Sequence, residues 1–209
     1  MSHTPSPKRA DEAIIVAWIR SLNDKAVKLT DHKPQVFEVG SQGTLLVADA
    51  NTFRSISQFN DVTGLRPGLW RAQHMGDVDA SGAVVHWQFH WICPGPLDLD
   101  NLQGIAPQPL EPQTAWERLD GLTVNTGKIS LFDLDMLQDF IEYTGDERLV
   151  IDVCQDPFSE RMGHQGVLPG GFFTLAQDGG YTISGRKHDG AIVQLRVRES
   201  RKEAPDEDA

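Results

Sequence analysis

Three groups of residues in the 209-residue chain have types and spacings that could do chemistry. Ser130-Leu-Phe-Asp133-Leu-Asp135 closes an apolar run with Asp-x-Asp, which can pair a carboxylate nucleophile with a carboxylic acid/base. His86-Trp-Gln-Phe-His90 has the His-x-x-x-His spacing that chelates a metal ion from one face of a helix. Asp152, Cys154 and His164 supply the residue types of an orienter, a thiol nucleophile and a base. The sequence has no P-loop, no Gly-x-Gly-x-x-Gly and no Cys-x-x-Cys, and Leu168-Pro-Gly-Gly171 precedes a strand rather than a phosphate-cradling helix.

The element that carries each group decides its use. Val84, Val85, Trp87, Phe89 and Trp91 alternate with His86, Gln88 and His90, so this segment reads as a strand. At roughly 3.3 Å per residue the two histidines are then about 13 Å apart, too far to hold one ion. The His–Gln–His face is expected to be the wetter one, with the aromatic residues in the core. Asp133 stands where a strand gives way to a helical pattern at Leu134, Leu137, Phe140 and Ile141, the position of an N-cap. The haloacid-dehalogenase-like phosphatases carry Asp-x-Asp after an apolar strand, followed by a small residue and then Thr or Val. Here Met136-Leu137 follow, and no alternating β-α-β pattern surrounds them. No glycine-rich helix start follows Cys154 to activate a thiol.

The elements that must position these residues are mostly short strands. Residues 1–6 read as a flexible start. Ser6-Pro7 begins an amphipathic helix over 7–23, within an N-terminal helical unit taken as 7–30. A first β-rich half, 31–92, has strands at Val36–Val39, Thr44–Ala48, Leu69–Met75 and Ala83–Ile92. Residues 93–115 hold five of the twelve prolines and read as the connection between halves. A second half, 116–198, has strands at Leu122–Val124, Lys128–Phe132, Arg148–Cys154, Gly171–Ala176, Tyr181–Ser184 and Ala191–Val197, with turns at Asp178–Gly180 and Asp189-Gly190. Residues 199–209 form an acidic tail. Both halves open alike: VGSQGTLLVAD and VNTGKISLFD are each a turn, an apolar strand and an Asp before a helical stretch. The fold class expected is α+β, mainly β: short antiparallel strands in a sandwich-like, two-half arrangement with an N-terminal amphipathic helix.

The totals narrow the function classes. A net charge of −11 argues against a general nucleic-acid binder, which needs a basic face. The two cysteines, Cys93 and Cys154, are too few for a disulfide framework and are expected reduced and buried. The apolar run at Ala13–Ile19 is too short to span a membrane and has acidic rather than basic residues before it, so the cytoplasm is the expected location.

Asp178-Gly-Gly-Tyr181-Thr-Ile-Ser-Gly185, followed by Asp189-Gly190-Ala-Ile-Val, resembles the end of an uncharacterised family of bacterial β-rich domains, which close with a Gly-Asp-Gly-x-Tyr hairpin and an Asp-Gly turn. Gln177 departs from that pattern, where the family has Gly. The resemblance implies a small bacterial β-protein of the sort found beside toxin genes, and brings no catalytic residues with it. The function expected is a non-enzymatic binding protein, an immunity protein or antitoxin that blocks a toxin, with no cofactor, metal, nucleic-acid or membrane partner. Trp70, His86 and His90 on a polar sheet face, and the acidic Asp77, Asp79, Asp98 and Asp100, are the partner-binding candidates, the acids steering a basic toxin. Two alternatives stand beside it: a structural module that forms a homodimer through exposed edge strands, and a hydrolase built around His86, His90, Cys154 or His164.

Overall fold

Alternation of apolar and polar residues becomes paired strands almost throughout the computed structural model, which describes residues 35–49, 60–75, 86–94, 109–144, 165–168 and 171–200. The strands are β1 (Gln35–Val39), β2 (Leu45–Asp49), β3 (Asn60–Val62), β4 (Gly68–His74), β5 (His86–Cys93), β6 (Glu117–Val124), β7 (Lys128–Asp133), β8 (Gln165–Leu168), β9 (Gly171–Leu175), β10 (Gly179–His188) and β11 (Ala191–Glu199). Helix α1 (Leu134–Thr144) follows β7. The expected helix at 7–30, the helical stretch after Asp49, the strand at 148–154 and most of the acidic tail lie outside the described residues. So do Asp77, Asp79, Asp98, Asp100, Asp152, Cys154 and His164.

The strands form two sheets, in the orders β1-β4-β5-β11-β10-β6 and β3-β2-β7-β9-β8, and neighbours pair antiparallel. Each sheet draws strands from both halves of the chain. If β1, β4 and β5 of the first half are matched to β6, β10 and β11 of the second, the six-stranded order reads the same from either edge. The matching strands β2 and β7 meet in the other sheet, with Leu45 opposite Asp133 and Asp49 opposite Ile129. The repeated motif of the sequence is thus expressed as two halves with matching strand order that join edge to edge in both sheets.

Reciprocal hydrogen bonds fasten those halves. Asp133, at the end of β7, accepts the Gly40 N–H at 2.7 Å, at the turn that leads into β2. Asp49, at the end of β2, accepts the Asn125 N–H at 2.6 Å and the Thr126 hydroxyl, at the turn that leads into β7. Each turn contains a glycine at positive φ, Gly43 (60°) and Gly127 (71°), a conformation that a β-carbon disfavours. Their carbonyls accept the Leu65 and Ala176 N–H groups, each at 2.9 Å, just before β4 and β10.

One buried apolar cluster takes side chains from both sheets, among them Phe37, Trp70, Phe89, Leu131, Ile183 and Leu195. Each such side chain withdrawn from water stabilises the fold by roughly 1.5–3 kcal/mol. Every residue of β2 is buried, as is nearly all of β7, which fits two inner strands covered on both faces. The strands at β3 and β8 carry too little apolar alternation to stand out in the sequence. β10 begins at Gly179 and so includes glycines expected in a turn, while the Asp178 carboxylate accepts the Gly127 N–H at 3.0 Å. Cys93 is a free thiol but only half-buried, because it lies on the outward side of β5 near its end. No helix among the described residues is long and apolar enough to cross a membrane.

Candidate functional site

Strand β5 buries Trp87, Phe89 and Trp91 and leaves His86, Gln88 and His90 half-exposed on the other side of the six-stranded sheet. Neighbouring strands extend this outer face. Gln194, Arg196 and Arg198 of β11 lie opposite His90, Gln88 and His86, and Arg71 and Gln73 of β4 lie opposite His90 and Gln88 from the other side. On β10, Thr182, Ser184 and Arg186 continue the rows opposite Arg198, Arg196 and Gln194. Trp70 does not join this face. The alternation that turns Arg71 and Gln73 outward turns Trp70 inward, where it is fully enclosed and donates its ring N–H to the Arg66 carbonyl at 2.9 Å.

Polar side chains on the face are tied together rather than independently solvated. The Gln194 amide nitrogen is 3.0 Å from Gln88 Oε1 and 3.1 Å from His90 Nδ1. An amide nitrogen only donates, so His90 accepts at Nδ1 and carries its proton on Nε2. His90 Nε2 and Arg71 Nε are enclosed without a hydrogen-bond partner. Arg186 donates from NH1 to Gln194 Oε1 at 3.4 Å and from Nε to the Thr114 carbonyl at 2.9 Å. The end of the proline-rich connection is laid along β10, with the Gln113 N–H on the Lys187 carbonyl at 2.7 Å. That placement brings the Trp116 ring under two guanidinium groups, Arg196 at 4.3 Å and Arg186 at 5.6 Å from its centroid. Beyond Arg71 the face closes in a buried apolar corner of Val36, Leu69 and Ile92.

Both histidines are held neutral at neutral pH. Burial lowers His86 to about 4, helped by the charges of Arg196 and Arg198 and opposed by a backbone hydrogen bond with Met75. Burial likewise lowers His90 to about 4, with Arg71 adding to it. A ring of that basicity is a weak general base near pH 7. The two histidines lie four residues apart on one strand, and among the described residues no three His, Cys, Asp or Glu side chains converge as metal ligands would. This face offers fixed positive charge and hydrogen-bond donors and acceptors on rigid strands.

The other sequence candidate, Asp133 and Asp135, is occupied by its own fold. Asp133 Oδ1 accepts the Met136 N–H at 3.0 Å, which is the expected N-cap of α1, while Oδ2 holds Gly40. Asp135 accepts the Ser41 hydroxyl at 2.9 Å and the Gln42 N–H at 3.2 Å. Burial raises the Asp133 carboxyl above the usual range despite the Gly40 and Met136 hydrogen bonds, and the neighbouring charges of Asp135 and Glu38 add to the rise. Burial pushes Asp135 up as well, but the hydrogen bonds from Ser41 and Gln42 outweigh it and leave this carboxyl below its ordinary value. A β-carbon on Gly40 would collide with both carboxylates, so the main chain fills the space a substrate would need.

Sequence reasoning found the His86–Gln88–His90 row and missed the arginines beside it. The signal was present: Gln194, Arg196 and Arg198 recur every second residue, with the apolar Val193, Leu195 and Val197 between them. Trp116 carried no such signal, because a loop places it. The chain matches no family model, no curated protein and no solved structure.

Proposed function

We propose that this chain is a non-enzymatic binding protein that acts in the cytoplasm on a protein partner, of the bacterial immunity or antitoxin kind, and that it binds through the outer face of the six-stranded sheet. In this reading the two sheets pack as a sandwich, whose inner faces make the core and whose outer face is free to carry recognition. The observation that carries the proposal is the linked row of Arg186, Gln194, Gln88 and His90, built on three neighbouring strands rather than on loops. Rigid, mutually oriented polar groups lose little freedom when a partner engages them. A catalytic reading finds less support, because both histidines are weak bases and Asp133 and Asp135 are engaged by the turn at Gly40–Gln42.

The test is co-expression with the toxic product of the adjacent gene. Growth should be restored and a complex should co-purify. Exchanging Gln88 and His90 together for alanine, which leaves the core side of β5 unchanged, should weaken the complex by about tenfold or more. Absence of rescue by the unaltered chain would sink the immunity reading. Rescue that is indifferent to the double substitution would move the binding surface elsewhere.

A further inference from the structure

We infer that the outer face of the six-stranded sheet recognises an acidic polypeptide segment, an Asp- and Glu-rich stretch of the partner. This rests on the reading of that face as the binding surface and names the chemistry it selects. In a chain of net charge −11, strands β4, β5, β10 and β11 contain a single acid, Glu199. Glu199 follows the parity of Leu195 and Val197, not that of the outward Arg196 and Arg198. Arg71, Arg186, Arg196 and Arg198 therefore occupy the registered outer positions with no carboxylate among them on these strands.

Three features favour an extended peptide. Arg196 and Arg198 project two residues apart on one strand face, about 6.6 Å, which is also the repeat of alternate side chains along an extended chain. Arg186 is oriented by Thr114 and Gln194, and Arg196 by the Trp116 ring, so their guanidinium groups are prepared for bidentate contact with carboxylates. The histidines between them are neutral and add hydrogen bonding without more charge. A nucleic acid presents many more charges than this face can neutralise, and the remainder of an acidic molecule repels them. A short segment feels mainly the local arginines, because fields from exposed charges fade over about 8 Å at physiological salt.

The experiment uses the full chain and a short fluorescein-labelled peptide of alternating Glu and Ser, followed by anisotropy at low salt. The peptide should bind. Arg198→Glu reverses a charge on the face at an exposed position and should weaken binding about fivefold or more. Lys128→Glu makes the same change in net charge on the five-stranded sheet and should alter binding by less than about twofold. If Arg198→Glu lowers the melting temperature, Arg198→Gln replaces it. No binding of the peptide, equal effects of the two reversals, or tighter binding of a single-stranded oligonucleotide of matched charge would each overturn the inference. Partner capture that survives Arg198→Glu but is lost with Gln88 and His90 would leave the binding face standing and remove only its acidic specificity.

Discussion

Gly40 and Asp133 carry more of the fold than their size suggests. The Asp133 carboxylate satisfies an N–H of helix α1 with one oxygen and the Gly40 N–H with the other, so no other side chain of similar size serves both. Asp133→Asn would leave an amide NH2 facing one of those N–H groups, and should destabilise the protein by about 1–3 kcal/mol in urea denaturation. Gly40→Ala should cost a similar ~1–3 kcal/mol, because its β-carbon meets the carboxyl groups of Asp133 and Asp135. The capping role of Asp133 was legible in the sequence as an Asp between a strand and a helical pattern. Its bond to Gly40 was not, because local pattern says nothing about a partner 93 residues away. The histidines contribute a pH dependence on the acid side. Their folded pKa values of about 4 lie below the ordinary 6.5, so the unfolded chain takes up protons first as pH falls. Stability is therefore unaffected by these groups above about pH 7, declines between 6.5 and 4, and loses no more from them below that. The full shift would cost about 3 kcal/mol for each ring, and screening by the solvent that reaches both reduces the loss for the pair to a few kcal/mol. His90→Gln should flatten the slope of melting temperature against pH across that window.

Among the elements, the β10–β11 hairpin shows how turn chemistry fixes a register that then aligns a whole face. Asp189 and Gly190 have φ of 49° and 80°, the paired positive values of a tight hairpin turn. Gly190→Ala should cost about 1 kcal/mol by thermal or urea unfolding, without altering the core. This Asp-Gly turn and the alternation of β5 were readable from the sequence because both are local. The full extent of β6 was not: Glu117-Arg-Leu-Asp-Gly has no apolar alternation, and it becomes a strand because β10 offers it a partner. Trp116 depends on that same pairing. Trp116→Ala should leave stability nearly unchanged but loosen the Arg196 side chain, while Thr114 and Gln194 still hold Arg186, a difference that arginine side-chain NMR order parameters would report.

For the whole molecule, the strand order has a mechanical meaning. Because β5 pairs with β11 and β2 pairs with β7, neither half of the chain closes a sheet by itself. Two fragments divided within residues 95–108 should each show little strand signal by circular dichroism and regain it when mixed in equal amounts. Fragments that fold separately would show that neither half needs the sheets it shares with the other. The sequence made the repeat visible as two matching openings, yet it could not reveal that the two halves join edge to edge in both sheets, since each opening is equally compatible with two separate units.

The mutual clasp also imposes a clock. Gly40 leaves the ribosome 93 residues ahead of the carboxylate that will hold its N–H. At roughly 5–20 residues per second, β2 waits about 5–20 s with its central pairing edge uncovered. The newborn first half is in that interval a template for any other extended chain nearby, including a second nascent copy of itself. Slower translation should therefore lower the soluble yield, unless a chaperone shields that edge until β7 arrives.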